Sequence, residues 1–216
     1  MKPEEVATYL KEHPEFFEDY AERLAEIYIP HPHGGRAIPI SERQILTLRE
    51  KNRQLEGKLR EVIQFGEEND AISEKVHRIS VTLLAASDIR GVLNAVYLNL
   101  REDFAVPHVA LRIWRPGSHA ELADFTPVSD TTREFAASLT NPYCIGHAMV
   151  DTAALFGETG PHLRSFSYLP LRDGETFGLL ALASEDLQRF YPEMGTLYLK
   201  RLGELVSAAV ARHLKK

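Results

Sequence analysis

The run SERQILTLREKNRQLEGKLREVIQFGEEND, residues 41–70, constrains this chain more than any other stretch. It is rich in the straight-chain residues that favour helix and contains no proline. The acidic residue after Ser41 suits a helix start. Ile45, Leu48, Asn52, Leu55, Leu59 and Val62 alternate steps of three and four, so they fill successive a and d positions of a heptad. All but Asn52 are apolar, and such a stripe must be covered. A parallel coiled coil between two copies covers it; packing as an amphipathic helix within one chain is the alternative. In the coiled-coil register Asn52 lies at an a position, where a buried asparagine pairs with its symmetry mate and selects two strands at some cost in stability. Lys51 at g then meets Glu56 at e of the second copy, an attractive contact. The phase slips near Phe65, and Ile72, Val76, Ile79 and Leu83 continue on a shifted frame.

Ahead of this helix, residues 1–29 read as two short helices, with Pro3 and Pro14 each placed where a first turn tolerates proline. Val6, Leu10, Phe16, Phe17, Tyr20, Leu24 and Ile27 give them an apolar face that so small a piece cannot bury alone. That face is a candidate surface for a protein partner. The connecting stretch YIPHPHGG, residues 28–35, offers two histidines, His31 and His33. A metal needs at least three convergent ligands, so Pro30, Pro32 and Gly34-Gly35 mark a hinge in preference to a metal site.

Beyond the long helix the period changes. AISEKVHRISVTLLAAS and DIRGVLNAVYLNLREDF read as helices, the second capped by Asp88. In HVALRIWRP, Val109, Leu111 and Ile113 alternate with Ala110, Arg112 and Trp114, as a strand requires, and Pro116-Gly117 ends it. An irregular middle follows, with a helix at TTREFAASL. RSFSYLPL and TFGLLALAS are then joined through Asp173-Gly174, a strong hairpin signal; the second strand is apolar on both faces and should be central. A helix starting near Pro192 closes the chain. The fold class expected is α+β: an N-terminal helical region (1–40), a long coiled-coil-like helix (41–70), and a domain over 71–216 with a central antiparallel sheet flanked by helices.

This order resembles a GAF domain, with Pro170-Leu171, Gly174, Gly178 and Phe190 falling where GAF domains place a proline-leucine, a turn glycine, a second-strand glycine and a pre-helix phenylalanine. Nearly the whole chain also resembles a bacterial family known as domain of unknown function 484. The matching strings are YLKEHPEFF, IPHPHGG before SERQ, LREKNRQLE, LPL with GLLAL, and SEDLQRFYPEMGTLYL. That resemblance implies a short helical region coupled to a GAF-like domain. It brings no assigned reaction, and only the expectation that many members are encoded beside a site-specific tyrosine recombinase.

Little in the sequence points to catalysis. The single cysteine, Cys144, stands three residues from His147 with no orienting acid or oxyanion donor nearby, so an ordinary half-buried cysteine is the preferred reading over a nucleophile. One cysteine is too few for the methionine-sulfoxide chemistry of some GAF proteins, and Cys144 precedes isoleucine where bilin-binding domains usually have histidine. The asparagine-lysine-any-aspartate signature of cyclic-nucleotide GAF domains is absent. A small-molecule pocket over one face of the sheet is the rival to simple packing; Arg112, Trp114, Phe125, Cys144, His147, Phe166 and Tyr168 are its candidate lining. No cofactor and no metal ligand set is indicated. The arginines and lysines of the long helix are interrupted by Glu42, Glu50, Glu56 and Glu61, and the chain carries a net charge of -6, so direct nucleic-acid binding is not expected. No apolar run approaches a bilayer span and the start lacks a signal-peptide pattern, so a cytoplasmic protein is expected. The sequence reading is therefore a non-enzymatic homodimer serving as a regulatory or scaffold module. A sensor with an unidentified ligand is the alternative, and a cysteine-dependent enzyme a more distant one.

Overall fold

The computed structural model describes residues 2–29, 38–115, 121–149 and 151–214. The chain divides into two compact units, residues 1–68 and 69–216.

The first unit opens with three helices where the sequence suggests two: α1 (Pro3–Glu12), α2 (Glu15–Asp19) and α3 (Ala21–Ala25). Pro3 sits in the first turn of α1, and the Glu5 carboxylate accepts from the Lys2 backbone N–H at 2.9 Å. The extra break falls at Tyr20, whose backbone (φ -116, ψ 25) leaves the helical region. Tyr9, Phe17, Tyr20 and Tyr28 are exposed. Two short strands, β1 (Tyr28–Ile29) and β2 (Ile38–Pro39), pair antiparallel. The residues they bracket, including His31 and His33, lie outside the described residues, and the hinge reading falls there.

From Ile40 the chain runs as one helix, α4 (Ile40–Ala85), of 46 residues. Sequence reasoning places a domain boundary at residue 70 and reads helix on both sides of it; the two stretches form one continuous helix. Nothing between Gly66 and Ile72 is strong enough to end a helix. A lone interior glycine costs only about 1 kcal/mol, and no proline follows.

In the second unit, α5 (Ile89–Glu102) is capped by Asp88, whose Oδ1 accepts from the Gly91 N–H at 2.7 Å. Strand β3 (His108–Ile113), helix α6 (Asp130–Ser138), strands β4 (Tyr143–Ile145), β5 (Ser165–Asp173) and β6 (Glu175–Ser184), and helix α7 (Leu197–Ala211) complete it. The four-stranded antiparallel sheet has the order β3-β6-β5-β4. β6 is internal and buried on both faces, as its unbroken apolar character requires. The β5-β6 hairpin turns on Gly174, held at φ +75, a backbone that favours glycine. Gly178 answers a different need. A Cβ there would stand 2.8 Å from the Arg112 carbonyl oxygen, so β3 and β6 could not keep their spacing. Helix α7 begins at Leu197, later than the sequence suggests, because Tyr191–Met194 forms a turn closed by the Met194 N–H on the Tyr191 carbonyl.

The sheet separates two apolar layers. On one face Leu111, Leu169, Leu171, Leu180 and Leu182 pack against Ile79 and Leu83 of α4, Val92 and Val96 of α5, and Val206 and Val210 of α7. On the other lie Ala110, Phe166, Tyr168, Leu179, Ala181 and Ala183. The free edge of β3 is capped by Tyr97, which accepts from the Leu111 N–H at 3.3 Å and donates to the Asp124 carboxylate. Burial, helped by that carboxylate, pushes the Tyr97 hydroxyl far above its ordinary pKa.

Candidate functional site

The second face of the sheet is the natural candidate site, because irregular segments and a short helix cover it instead of long packed helices. Helix α6 brings Phe135 and Ala136 over the strands, started by Ser129, whose hydroxyl accepts from the Thr132 N–H. A 3-10 stretch, Thr152–His162, brings Leu155 and Phe156. Between them the aromatic rings close the surface. Phe135 meets Tyr168 edge-on at 5.2 Å, Phe166 lies parallel to Tyr168 at 6.1 Å, and Phe156 leans on Phe166 at 6.0 Å. Phe166 and Tyr168 retain 1% and 0% of their accessible surface, so the volume beneath the cover is occupied by side chains.

The polar groups of this face are spent on one another. The Thr152 hydroxyl donates to the Met149 carbonyl at 2.8 Å, which leaves its lone pairs for the Tyr168 hydroxyl at 2.6 Å. The Tyr168 oxygen in turn accepts from the Met149 N–H at 3.2 Å. Burial raises the Tyr168 pKa, partly offset by the bond it accepts from the Met149 N–H. Toward the β3 edge of the same face the Trp114 indole donates to the Thr176 carbonyl at 3.1 Å. Among the described residues no buried side-chain nitrogen or oxygen lacks a hydrogen-bond partner. Tyr168→Phe is expected to cost about 1–3 kcal/mol, the penalty for orphaning the Met149 N–H, measured as a lower urea midpoint at unchanged m-value.

The seven sequence candidates do not converge. Trp114, Phe166 and Tyr168 share the covered face. Arg112 follows the same strand parity, yet its guanidinium turns back to the Leu111 carbonyl at 2.7 Å on the edge strand. Phe125 and Cys144 belong to the opposite, helix-packed layer. Pairing explains the cysteine: Cys144 stands opposite Ser167, whose neighbour on the same face is Leu169. Its thiol donates weakly to the Ser167 hydroxyl at 3.5 Å, and burial pushes its pKa up, which keeps it protonated. His147 is exposed. Sequence reasoning missed Met149, Thr152 and Phe156; their region lacks a strand or helix period, and only an aromatic in a loop beside the sheet could have hinted at Phe156.

The long-helix candidates have the opposite character. Ile45, Leu48, Leu55, Leu59 and Val62 are 49–65% exposed, and Asn52 lies on the same exposed stripe. Among the described residues of the first unit none buries them. Among the described residues no three His, Cys, Asp or Glu side chains are grouped to hold a metal, and no helix is long and apolar enough to cross a membrane.

Comparison with known proteins places this arrangement. A family model described as "Protein of unknown function, DUF484" matches residues 1–215. Among solved structures, the GAF domain of a phosphoenolpyruvate-protein phosphotransferase from Coxiella burnetii is similar, at 16% identity over 65% of this chain and 93% of that one, with a TM-score of 0.52. The GAF domain of a phosphoenolpyruvate-protein phosphotransferase from Acinetobacter is similar at 14% identity over 64% and 92%, with a TM-score of 0.51. At these identities the likeness shows the fold, which is GAF-like. No curated protein matches the sequence.

Proposed function

The chain belongs to the family described as protein of unknown function, DUF484, and we propose that it is a non-enzymatic, self-associating module that regulates or scaffolds a partner rather than transforming a substrate. The exposed heptad stripe on α4 carries this reading. Five apolar side chains in a and d register cannot remain in water along a stable helix without a partner, and their spacing fits a second copy of the same helix in parallel. Charge supports that occupant: Lys51 of one helix falls opposite Glu56 of the other. The closed aromatic face supports the non-enzymatic part, since its side chains satisfy one another and Cys144 points to the opposite layer. The GAF-like fold is compatible with a regulatory or sensory role and fixes none.

Light scattering at micromolar concentration tests the association, with twice the chain mass as the expected result. A monomer would remove the reading. Asn52→Leu is expected to strengthen association and let trimers or shifted registers appear, because the polar a position that selects two strands is gone. An unchanged, uniquely dimeric mass distribution would place Asn52 outside the seam.

A further inference from the structure

A separate cavity lies on the helix-packed side of the sheet, within the second unit. We infer that this cavity, with Lys75 and Arg189 in its lining, is a binding site for a compact amphiphilic carboxylate. Its volume is about 230 Å³, and Leu100, Leu182, Phe190 and Leu202 line its buried part. These four retain no more than 3% of their accessible surface and form its floor; the half-buried Ile72, Phe104 and Leu199 supply the apolar surface an occupant would touch. Lys75, half-buried, and Arg189, exposed, line the same cavity and add two cations to its apolar lining.

Neither cation is paired with a carboxylate among the described residues, although acidic residues outnumber basic ones 31 to 25 in the chain. Arg189 donates one N–H to the Phe104 carbonyl and lies 5.9 Å from the Phe190 ring centroid. That holds the guanidinium in place and leaves other donors of its planar fork free, a geometry suited to a carboxylate. Lys75 is half-buried and would gain from a second anionic contact. A neutral apolar occupant would leave its ammonium without a partner, so an anionic end is favoured. The walls are braced by Tyr198, whose hydroxyl donates to the Asn69 carbonyl at 3.2 Å and accepts from the Ser73 hydroxyl at 3.0 Å, joining α7 to α4. The volume lies below the roughly 300 Å³ at which ordinary small-molecule pockets begin, so the apolar body must be short. This site is distinct from the residue 45–62 stripe of α4 and lies on the opposite side of the sheet from Phe166 and Tyr168.

Calorimetric titration of the full chain with sodium octanoate tests it, with 1-octanol as the uncharged control. Saturable octanoate binding is expected, and the methyl resonances of Ile72 and Leu199 should shift on titration while those of Leu55 stay put. Lys75→Met and Arg189→Gln should each weaken octanoate about tenfold or more, as loss of a charge-assisted hydrogen bond predicts, and leave octanol unchanged. Circular dichroism of each variant confirms that it is folded. Absence of saturable octanoate binding to the unmodified chain, or equal affinity in both variants, would overturn the assignment; so would methyl shifts confined to the heptad stripe.

Discussion

Phe166→Ala should lower the unfolding free energy by about 3–5 kcal/mol, read as a drop in the urea midpoint at unchanged m-value. Phe166 is 1% exposed, stacks on Tyr168 and meets the tilted ring of Phe156, so truncation removes a large apolar side chain from a site whose neighbours are anchored. Tyr168 is tied to Met149 and Thr152, and its backbone belongs to a strand paired on both sides, which limits collapse into the void. The result also bears on function. Were this face shaped to hold a small molecule, Phe166 would border empty or solvated volume, and its removal would cost less than about 1.5 kcal/mol because cavity and solvent already existed there. A loss of that small size would reopen the ligand-sensor reading and weaken the packing one.

The residues explain why some of this was legible beforehand. Strand parity holds wherever a strand is long enough to count. Along β5, and along β3 and its continuation into Trp114, the alternation places Trp114, Phe166 and Tyr168 on one face. The Asp173-Gly174 turn and the doubly apolar β6 fix the hairpin and its central place in the same local way. Parity is lost in irregular segments. Cys144 sits in a strand of three residues, too short to show a period, and only its pairing with Ser167 decides which layer it enters. Phe125 lies in a short 3-10 turn whose direction depends on how the chain leaves β3, and it joins the helical layer. The union of two expected helices into α4 has a similar cause: the heptad slip near Phe65 changes the face presented, and a change of face need not end a helix. The Tyr168–Thr152–Met149 network was invisible because it depends on a loop returning to a strand sixteen residues away in sequence from Thr152.

Leu55→Asp is expected to abolish the proposed self-association, raising the dissociation constant at least 100-fold, or about 2.8 kcal/mol at 1.4 kcal/mol per tenfold. At a d position the two introduced carboxylates would face each other across the seam, each stripped of water and repelled by its twin. The same substitution should hardly affect the fold of a single chain. Leu55 is 64% exposed there, and changes at such positions away from special contacts usually stay within about 0.5 kcal/mol. This separation makes the experiment decisive: sedimentation velocity should report a monomer while the near-ultraviolet spectrum of Trp114 and the buried Tyr168 stays that of the unmodified chain. If Leu55→Asp remains fully dimeric at micromolar concentration, the α4 stripe is not the interface, and the exposed aromatics Tyr9, Phe17 and Tyr20 become the surface to vary next. If instead it becomes monomeric and Asn52→Leu broadens the distribution of assemblies, the apolar positions supply the affinity and the single asparagine supplies the choice of two strands. That division of labour is what a heptad interrupted at one a position encodes.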